Sequence, residues 1–483
     1  MYVKKASGFF GRREVLRRLG EHLSVVSDSG RGRMLAIRGR RQVGKSTLVE
    51  RFVQDAETPY VFVSGVYRAP LSQQLAAATA AIQEARHPLP DDALLSATTA
   101  SSWREWLGRI ALAARGGPII VVLDEFPWLT QGDVSLEGEL QAQWDRVLEG
   151  LPVLLILIGS DVAMMDALSH HGRPLFGRLT PLVVSALSPA DIVEALPGSP
   201  AEEVFDALLV TGGYPRLVTD LARHESVGDY VRLALQDQYS PLVTTARLSL
   251  DAEFPDPQAA YQVLSAIGAN DTVDPGYSDI LGELGEGASR KTAETALTRS
   301  LKTLAEVKGL VEREQPAWAK PSSRLRRYRV TDPYLRFWFR YVERNVERIA
   351  RGRSDLVVAA FERDWSTWRG QSVEPIVRQS VERLALVEPA LADVESVLPW
   401  WVRDNSVEVD VVAATRTTTA AIGTIKWRSR GGVTSRELEQ LAATRERVPR
   451  AADAKLIAIC PTGRAPREAD LALSAADLIG AWR

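Results

Sequence analysis

Cysteine is almost missing from this chain of 483 residues: Cys460 stands alone. That excludes a disulfide framework and cysteine-based zinc sites, and points to the reducing cytosol. Net charge is nearly absent as well. With 59 Lys and Arg against 61 Asp and Glu the formal charge is −2, so the chain is no global polycation and nucleic-acid contact would have to come from local patches. No apolar run is long enough for a membrane span. The most apolar stretch, Leu151–Gly159, falls far short of the ~20 residues a bilayer requires. The start, MYVKKASGFFGRREVL, lacks the apolar segment and cleavage site of a secretory signal, and the chain has no internal repeat or low-complexity tract. These absences lead to the expectation of a soluble cytoplasmic protein with no membrane partner. What is present is ordinary for a globular protein, 45% hydrophobic and 25% charged residues. The length suits about three domains of roughly 100–200 residues each.

The first half alternates short β-rich runs with helical patterns. Met34–Gly39, Tyr60–Gly65, Pro118–Phe126 and Leu151–Ser160 are near-continuous apolar runs, as expected of strands buried on both faces of a parallel α/β sheet. Around Ser240–Pro257 the character changes to a Pro- and Asp-bearing stretch, read as a loop and a boundary. Beyond it, Ala260, Val263, Leu264 and Ile267 recur at helical spacing. A short helix is expected near Tyr277–Leu284. A third places Ala293, Leu297, Leu301 and Leu304 on one face, with Ser289 as its cap and Gly309 as its stop. Two strands, LVERE and RRYRVTD, follow around a Pro/Ser loop. Helices followed by a hairpin is the order of a winged helix-turn-helix.

GRRQVGKS, Gly39 to Ser46, fits G-x-x-x-x-G-K-[ST] and lies between a strand and a helical pattern. Such a loop curls its N–H groups around phosphates, and the helix N-terminus adds partial positive charge. Gly39, Arg40, Arg41, Gln42, Val43, Gly44, Lys45, Ser46 and Thr47 are therefore the expected ATP-binding residues. Lys45 would reach the β- and γ-phosphates, and the Ser46 hydroxyl would ligate Mg²⁺. The chemistry requires a second part, and IIVVLDE supplies it. Asp124 would hold Mg²⁺ through water, and Glu125 would orient or deprotonate the attacking water.

FFGRREVLRRL, the phosphate loop, VVLDEFPWL, LILIGSD, PLFGRLTPL, TGGYPRLV and YRVTDPYLRFWF together look like the archaeal-type AAA+ ATPase family, related to the STAND signalling ATPases. The resemblance runs along essentially the whole chain. It implies that Arg12 lies beside the nucleotide base, that Ser160 resembles the polar sensor of the γ-phosphate, and that Gly213 and Pro215 resemble a lid element near adenine. It makes Arg178 a candidate contact to the phosphates, within the chain or across a subunit contact of a homo-oligomer; a surface salt bridge is the alternative.

Two further segments bear on nucleic acid. The third helix carries Arg290, Lys291, Arg299 and Lys302, either a groove-entering face or a solvated one. From Arg324 to Arg353 ten arginines face three acids, with aromatics interleaved. Arginines among aromatics suit nucleic-acid backbones, but Leu335, Trp338, Phe339 and Val342 also fall at core spacing. Near the end, EVDVVAATRTTTAAIGTIKW (Glu408–Trp427) reads as two strands joined by a polar turn. By resemblance to restriction-endonuclease-like folds, Glu374 matches the helix acid, Asp410 the first strand acid and Lys426 the lysine of a metal-dependent nuclease, with Glu408 a helper. Where the family reads Gly-Glu-x-Lys-Trp, this chain has Thr424, a neutral oxygen in place of a metal-binding carboxylate. The fold is expected to survive and the cutting activity to be lost.

The expected architecture is α/β: a P-loop AAA+ core over 1–187, a helical lid over 188–250, a winged helix-turn-helix over 251–332 and a restriction-endonuclease-like domain over 333–483. The expected function is a Mg²⁺-dependent ATP-hydrolysing switch acting on nucleic acid. Two alternatives stand beside it: a DNA-binding regulator with a structural nucleotide, and an ATP-controlled nuclease.

Overall fold

The computed structural model describes residues 9–254, 256–270, 274–284, 290–428 and 430–483, the side chain of Arg290 excepted. The chain forms two compact units. One is Arg12–Ala186; the other joins Leu187–Arg483 to the described part of Met1–Gly11.

The first unit is built on a parallel five-stranded sheet of β1 (Arg33–Arg38), β2 (Tyr60–Ser64), β3 (Ile119–Asp124), β4 (Val153–Gly159) and β5 (Leu179–Val183), in the order β2-β3-β4-β1-β5. Every residue of β3 and β4 is buried. Helices cover both faces of such a sheet, so its inner strands carry no polar alternation. The four apolar runs are strands. The fifth strand has no such run: its burial pattern is mostly exposed or intermediate, and periodicity alone does not reveal it. The helix Lys45–Asp55 packs Leu48, Val49, Phe52 and Val53 inward at helical spacing.

The second unit contains the helices Ala201–Thr211 and Pro215–Leu221, the helix Pro241–Glu253, and a short helical series, Gln258–Gly268, Tyr277–Leu284 and Arg290–Lys302. The loop expected at Ser240–Pro257 is largely this helix. Pro241 sits in its first turn, where proline is tolerated because that N–H has no helical partner, so proline starts the element instead of breaking it. The Ser289 cap falls outside the described residues. Gly309 follows the third helix with φ 62°. The antiparallel hairpin β6 (Val311–Glu314) and β7 (Arg327–Val330) pairs Glu312 with Arg329 and Glu314 with Arg327. Last comes a five-stranded mixed sheet of β8 (Ser396–Trp401), β9 (Glu408–Ala414), β10 (Thr419–Ile425), β11 (Lys455–Ile459) and β12 (Leu471–Leu473), in the order β12-β11-β10-β9-β8. β8, β9 and β10 are antiparallel neighbours, while β10, β11 and β12 run parallel.

The aromatic segment after β7 is core. Tyr334, Phe337, Trp338, Phe339 and Tyr341 are all buried. Its arginines are engaged as well: Arg336 lies 3.6 Å from Asp274, Arg340 3.6 Å from Asp364 and Arg344 3.3 Å from Glu283. Of the two readings of this segment, the burial of its aromatics bears out the core one. Its aromatic side chains fill the interior, and helical spacing was the signal that counted.

The segments TGGYPRLV and TDPYLRFWF meet inside this unit. The Tyr214 hydroxyl donates to Asp332 Oδ2 at 2.5 Å, and Asp332 caps the following helix through Leu335 N–H. Tyr334 O–H donates to Leu242 O, and Trp338 Nε1–H donates to Val243 O at 2.8 Å. Nearby, Arg369 binds buried Asp206 at 2.8 Å, and Phe205 packs edge-on against Trp427. No helix among the described residues is long and apolar enough to cross a membrane.

Candidate functional site

The loop Gly39–Gly44 leaves the C-terminal end of β1 and enters the helix Lys45–Asp55. A Cβ on Gly39 would lie 2.1 Å from Val184 O, so only glycine fits there. Gln42 (φ 64°) and Gly44 (φ 84°) adopt left-handed conformations that bend the loop back over the helix N-terminus. In a non-glycine residue such a conformation costs free energy and tends to occur at functional turns.

Lys45 is only 6% exposed, and its Nζ donates to Gly39 O at 2.8 Å and Arg40 O at 2.9 Å. Burial pushes this ammonium down to about 8, with nearby Arg41 acting the same way and the carboxylates of Glu125 and Asp124 opposing. Asp124 ends β3, is buried, and accepts a hydrogen bond from Ser46. Burial raises its pKa, while that bond and the Glu125 N–H act to lower it. Glu125 has a left-handed backbone, φ 46°. Ser160, directly after β4, donates its hydroxyl to the Glu125 carboxylate, 2.9 Å from each oxygen. Lys45, Ser46, Asp124, Glu125 and Ser160 thus converge at the carboxyl ends of β1, β3 and β4, where ligands bind in open α/β sheets. The pairing of a Ser46 hydroxyl with an Asp124 carboxylate suits a hard divalent cation such as Mg²⁺.

Arg12 sits behind the loop. Its guanidinium donates to Val43 O at 2.7 Å and to Ser185 O, tying the phosphate loop to the segment after β5. Arg178 stands elsewhere. It grips both oxygens of Asp145, at 2.6 and 2.7 Å, just before β5, whose first residue pairs with Met34. Met34 and Gly39 are separated by about 16 Å of strand. The in-chain phosphate contact for Arg178 is therefore corrected: within this unit it points at the far edge of the sheet. Gly213 and Pro215 belong to the other unit. There Gly213, φ 71°, accepts a hydrogen bond from Leu187 N–H, and Pro215 opens the helix Pro215–Leu221.

Residues 8–156 match the family model described as "AAA ATPase domain". That stretch holds the phosphate loop, Asp124 and Glu125 described above. Residues 338–441 match a second model, described as "Archaea bacterial proteins of unknown function", and the resemblance to archaeal-type AAA+ ATPases holds. An uncharacterized protein of Methanocaldococcus jannaschii is 24% identical over 424 residues, 87% of this chain and 88% of its own length. Among solved structures, the Walker-type ATPase paby2304 of Pyrococcus abyssi overlaps 69% of this chain and 96% of its own at 19% identity and TM-score 0.49. The ORC2 protein of Aeropyrum pernix, in ADPNP and ADP complexes, overlaps 72% and 93% at 15% identity and TM-score 0.44.

Beyond residues 8–156, the C-terminal sheet gathers the second set of expected residues. Glu374 opens the helix Glu374–Leu384, Asp410 lies on β9, and Lys426 directly follows β10 instead of standing on it. A cavity of about 150 Å³ there is lined by Glu408, Asp410, Thr424, Lys426 and Glu437. Asp410 Oδ2 accepts from Ile425 N–H at 2.7 Å and from the Thr424 hydroxyl at 3.1 Å, with Lys426 Nζ at 3.9 Å. Burial and the Asp410 charge push Glu374 up to about 8. Glu408 is taken by Arg327, which also stacks on Trp401 with 4.3 Å between guanidinium carbon and ring centroid. Among the described residues no group of three or more His, Cys, Asp or Glu is arranged to hold a metal ion. The sequence reading missed Arg378 and Glu314, which are buried behind this cleft, and Arg327, which holds Glu408 at its wall. The signals were present in Glu374 and Arg378, four apart on a helix, and in alternating charges across the two hairpin strands.

Proposed function

We propose that this chain is a Mg²⁺-dependent ATP-hydrolysing switch of the AAA+/STAND type whose C-terminal module has a restriction-endonuclease-like fold and does not cut. The observation that carries the reading is the Glu125 carboxylate, held by Ser160 beside Lys45 and Asp124. In this reading the loop amides of Gly39–Gly44 and the Lys45 ammonium bind the triphosphate. Arg12 keeps the loop in its binding shape, and Gly213 and Pro215 serve the lid. Ser46 and Asp124 hold Mg²⁺, which when bound neutralises phosphate charge. Glu125 orients a water toward the γ-phosphorus and takes its proton as the new O–P bond forms and the bond to ADP breaks. Ser160 fixes the carboxylate rotamer and senses whether the γ-phosphate is present.

The exposed Lys291, Arg299 and Lys302 on the third helix support phosphate-backbone contact by a winged helix-turn-helix, with β6 and β7 as the wing. Arg178, already placed at the sheet's far edge, is suited to a neighbouring subunit's nucleotide in a homo-oligomer. Glu125→Gln should bind ATP as tightly as the parent and release phosphate at least ~100-fold more slowly, the scale of general-base catalysis. Phosphate release unchanged in that variant removes Glu125 from the role.

A further inference from the structure

The C-terminal cleft presents carboxylates, yet among the described residues no three of them are arranged to hold a metal ion. The reason lies in one side chain from the helix behind it. Arg378 is 4% exposed. Its NH1 donates to Glu374 Oε2 at 3.3 Å and to the backbone carbonyl of Asp410 at 3.2 Å, while NH2 donates to Glu314 Oε1 at 3.1 Å. A helix carboxylate and a strand carbonyl are oxygens of the kind that coordinate a hard divalent cation. Here both converge on a guanidinium.

We infer that the Arg378 guanidinium, buried behind the C-terminal cleft, adds to the Lys426 ammonium inside it a fixed positive charge that stands in the way of a divalent metal, and that it clamps the cleft to the β6–β7 hairpin. The inference rests on the nuclease-like reading of that module and deepens it. The clamp extends into the hairpin. Glu314 also accepts from Arg329 NH1 at 3.2 Å, and Arg329 NH2 reaches Glu312 at 2.6 Å. Arg329 lies 3.7 Å from Asp274, which in turn lies 3.6 Å from Arg336. Acids and arginines alternate along this chain of contacts, so each buried charge has an opposite neighbour. A planar fork of donors can satisfy three acceptors from three elements at once, which a lysine ammonium or an exchangeable ion would do less rigidly. A dication added beside Arg378 would meet a fixed positive charge, and Asp410 Oδ2 already accepts from Thr424 and Ile425. Loss of the carboxylate at position 424 is thus one of two changes. The second is a built-in positive charge that turns the cleft into a joint.

The test counts Mn²⁺ bound to the full chain without nucleotide, by electron paramagnetic resonance. The parent and Thr424→Glu should bind the same number of ions. Thr424→Glu combined with Arg378→Gln should gain one site at least tenfold tighter than background, and adding Asp410→Asn should remove it. A gained site in Thr424→Glu alone overturns the inference, and so does no gain in the combined variant. Because Arg378→Gln leaves Glu314 short of a partner, the same set is also made with Glu314→Gln, and folding is verified by circular dichroism. Amide exchange then reads the clamp: hairpin amides at Val311–Glu314 should exchange at least tenfold faster in Arg378→Gln, with β3 and β4 unchanged. Unchanged hairpin exchange overturns the clamp. A DNA cleavage assay with Mn²⁺ separates the two levels. Mn²⁺ bound in the parent's cleft without cleavage ends this inference alone, whereas cleavage by the parent ends the non-cutting reading as well.

Discussion

Raising the pH should weaken ATP binding far more steeply here than a normal lysine would allow. Lys45 is enclosed by the loop it closes, bonded to Gly39 O and Arg40 O, and burial lowers its pKa from 10.5 to about 8. A triphosphate beside it favours the charged form, so binding above that pKa requires proton uptake. With the bound state charged throughout, apparent affinity falls as one plus the ratio of neutral to charged lysine in the free protein. Between about pH 7.5 and about pH 9.5 that factor grows about 25-fold, close to 2 kcal/mol. A lysine titrating near 10.4 would give barely about 10% over the same interval. Isothermal titration in two buffers of different ionisation enthalpy measures both the affinity and the proton taken up. Near about pH 9 uptake should approach one proton per ATP. Lys45→Arg should bind more weakly and lose the pH dependence, since arginine stays charged. A flat affinity in the parent, or the same slope in Lys45→Arg, refutes the reasoning. The sign for stability runs the other way. The buried ammonium disfavours the ligand-free fold below about pH 8, and that penalty is relieved as pH rises from about 8 toward 10.5.

Two further outcomes follow from the geometry. Phosphate release per chain should rise with protein concentration, and Arg178→Ala should abolish that rise while leaving ATP affinity and monomer stability within ~1 kcal/mol, the range of an exposed ion pair; identical turnover at all concentrations in both proteins would return Arg178 to a surface salt bridge with Asp145. Arg369→Met should destabilise the second unit by about 3–5 kcal/mol in chemical denaturation, because it leaves Asp206 buried without its cation. Burial already raises the Asp206 carboxyl to about 7 with Arg369 in place, so the deficit should be largest above that pH and shrink as pH falls through it, and a pH-independent loss would mean that packing and not charge is responsible.

The nucleotide site was legible because its chemistry is local. A tight turn, a lysine and a hydroxyl must be contiguous, and Asp124 and Glu125 must end a strand, so each part announces itself within a few residues. β5 was not legible, since an edge strand with an exposed face carries no apolar run. The helix Pro241–Glu253 was misread because proline signals a break in a window but a start at the first turn, and composition does not separate the two. The aromatics after β7 carried two signals at once, arginine clustering and helical spacing, and burial decided for the second. Arg378 was invisible for another reason. Its importance lies in Glu314, sixty-four positions upstream, and only the folded chain brings the two together.

The hydrogen bond from Tyr214 to Asp332, the Asp206–Arg369 pair and the Phe205–Trp427 contact bear on inheritance as much as on stability. They stitch residues near position 210 to residues beyond 330 through shared interior, so a chain stopped at Asp332 would leave Phe205 and Asp206 facing water with nothing to cover them. A catalytic module that loses its chemistry is normally free to erode or be deleted. One that covers Phe205 and Asp206 of the preceding helices is not, because its removal would expose them. Selection on the fold of the Ala201–Thr211 region is then enough to preserve the C-terminal sheet, whether or not any phosphodiester is ever cut.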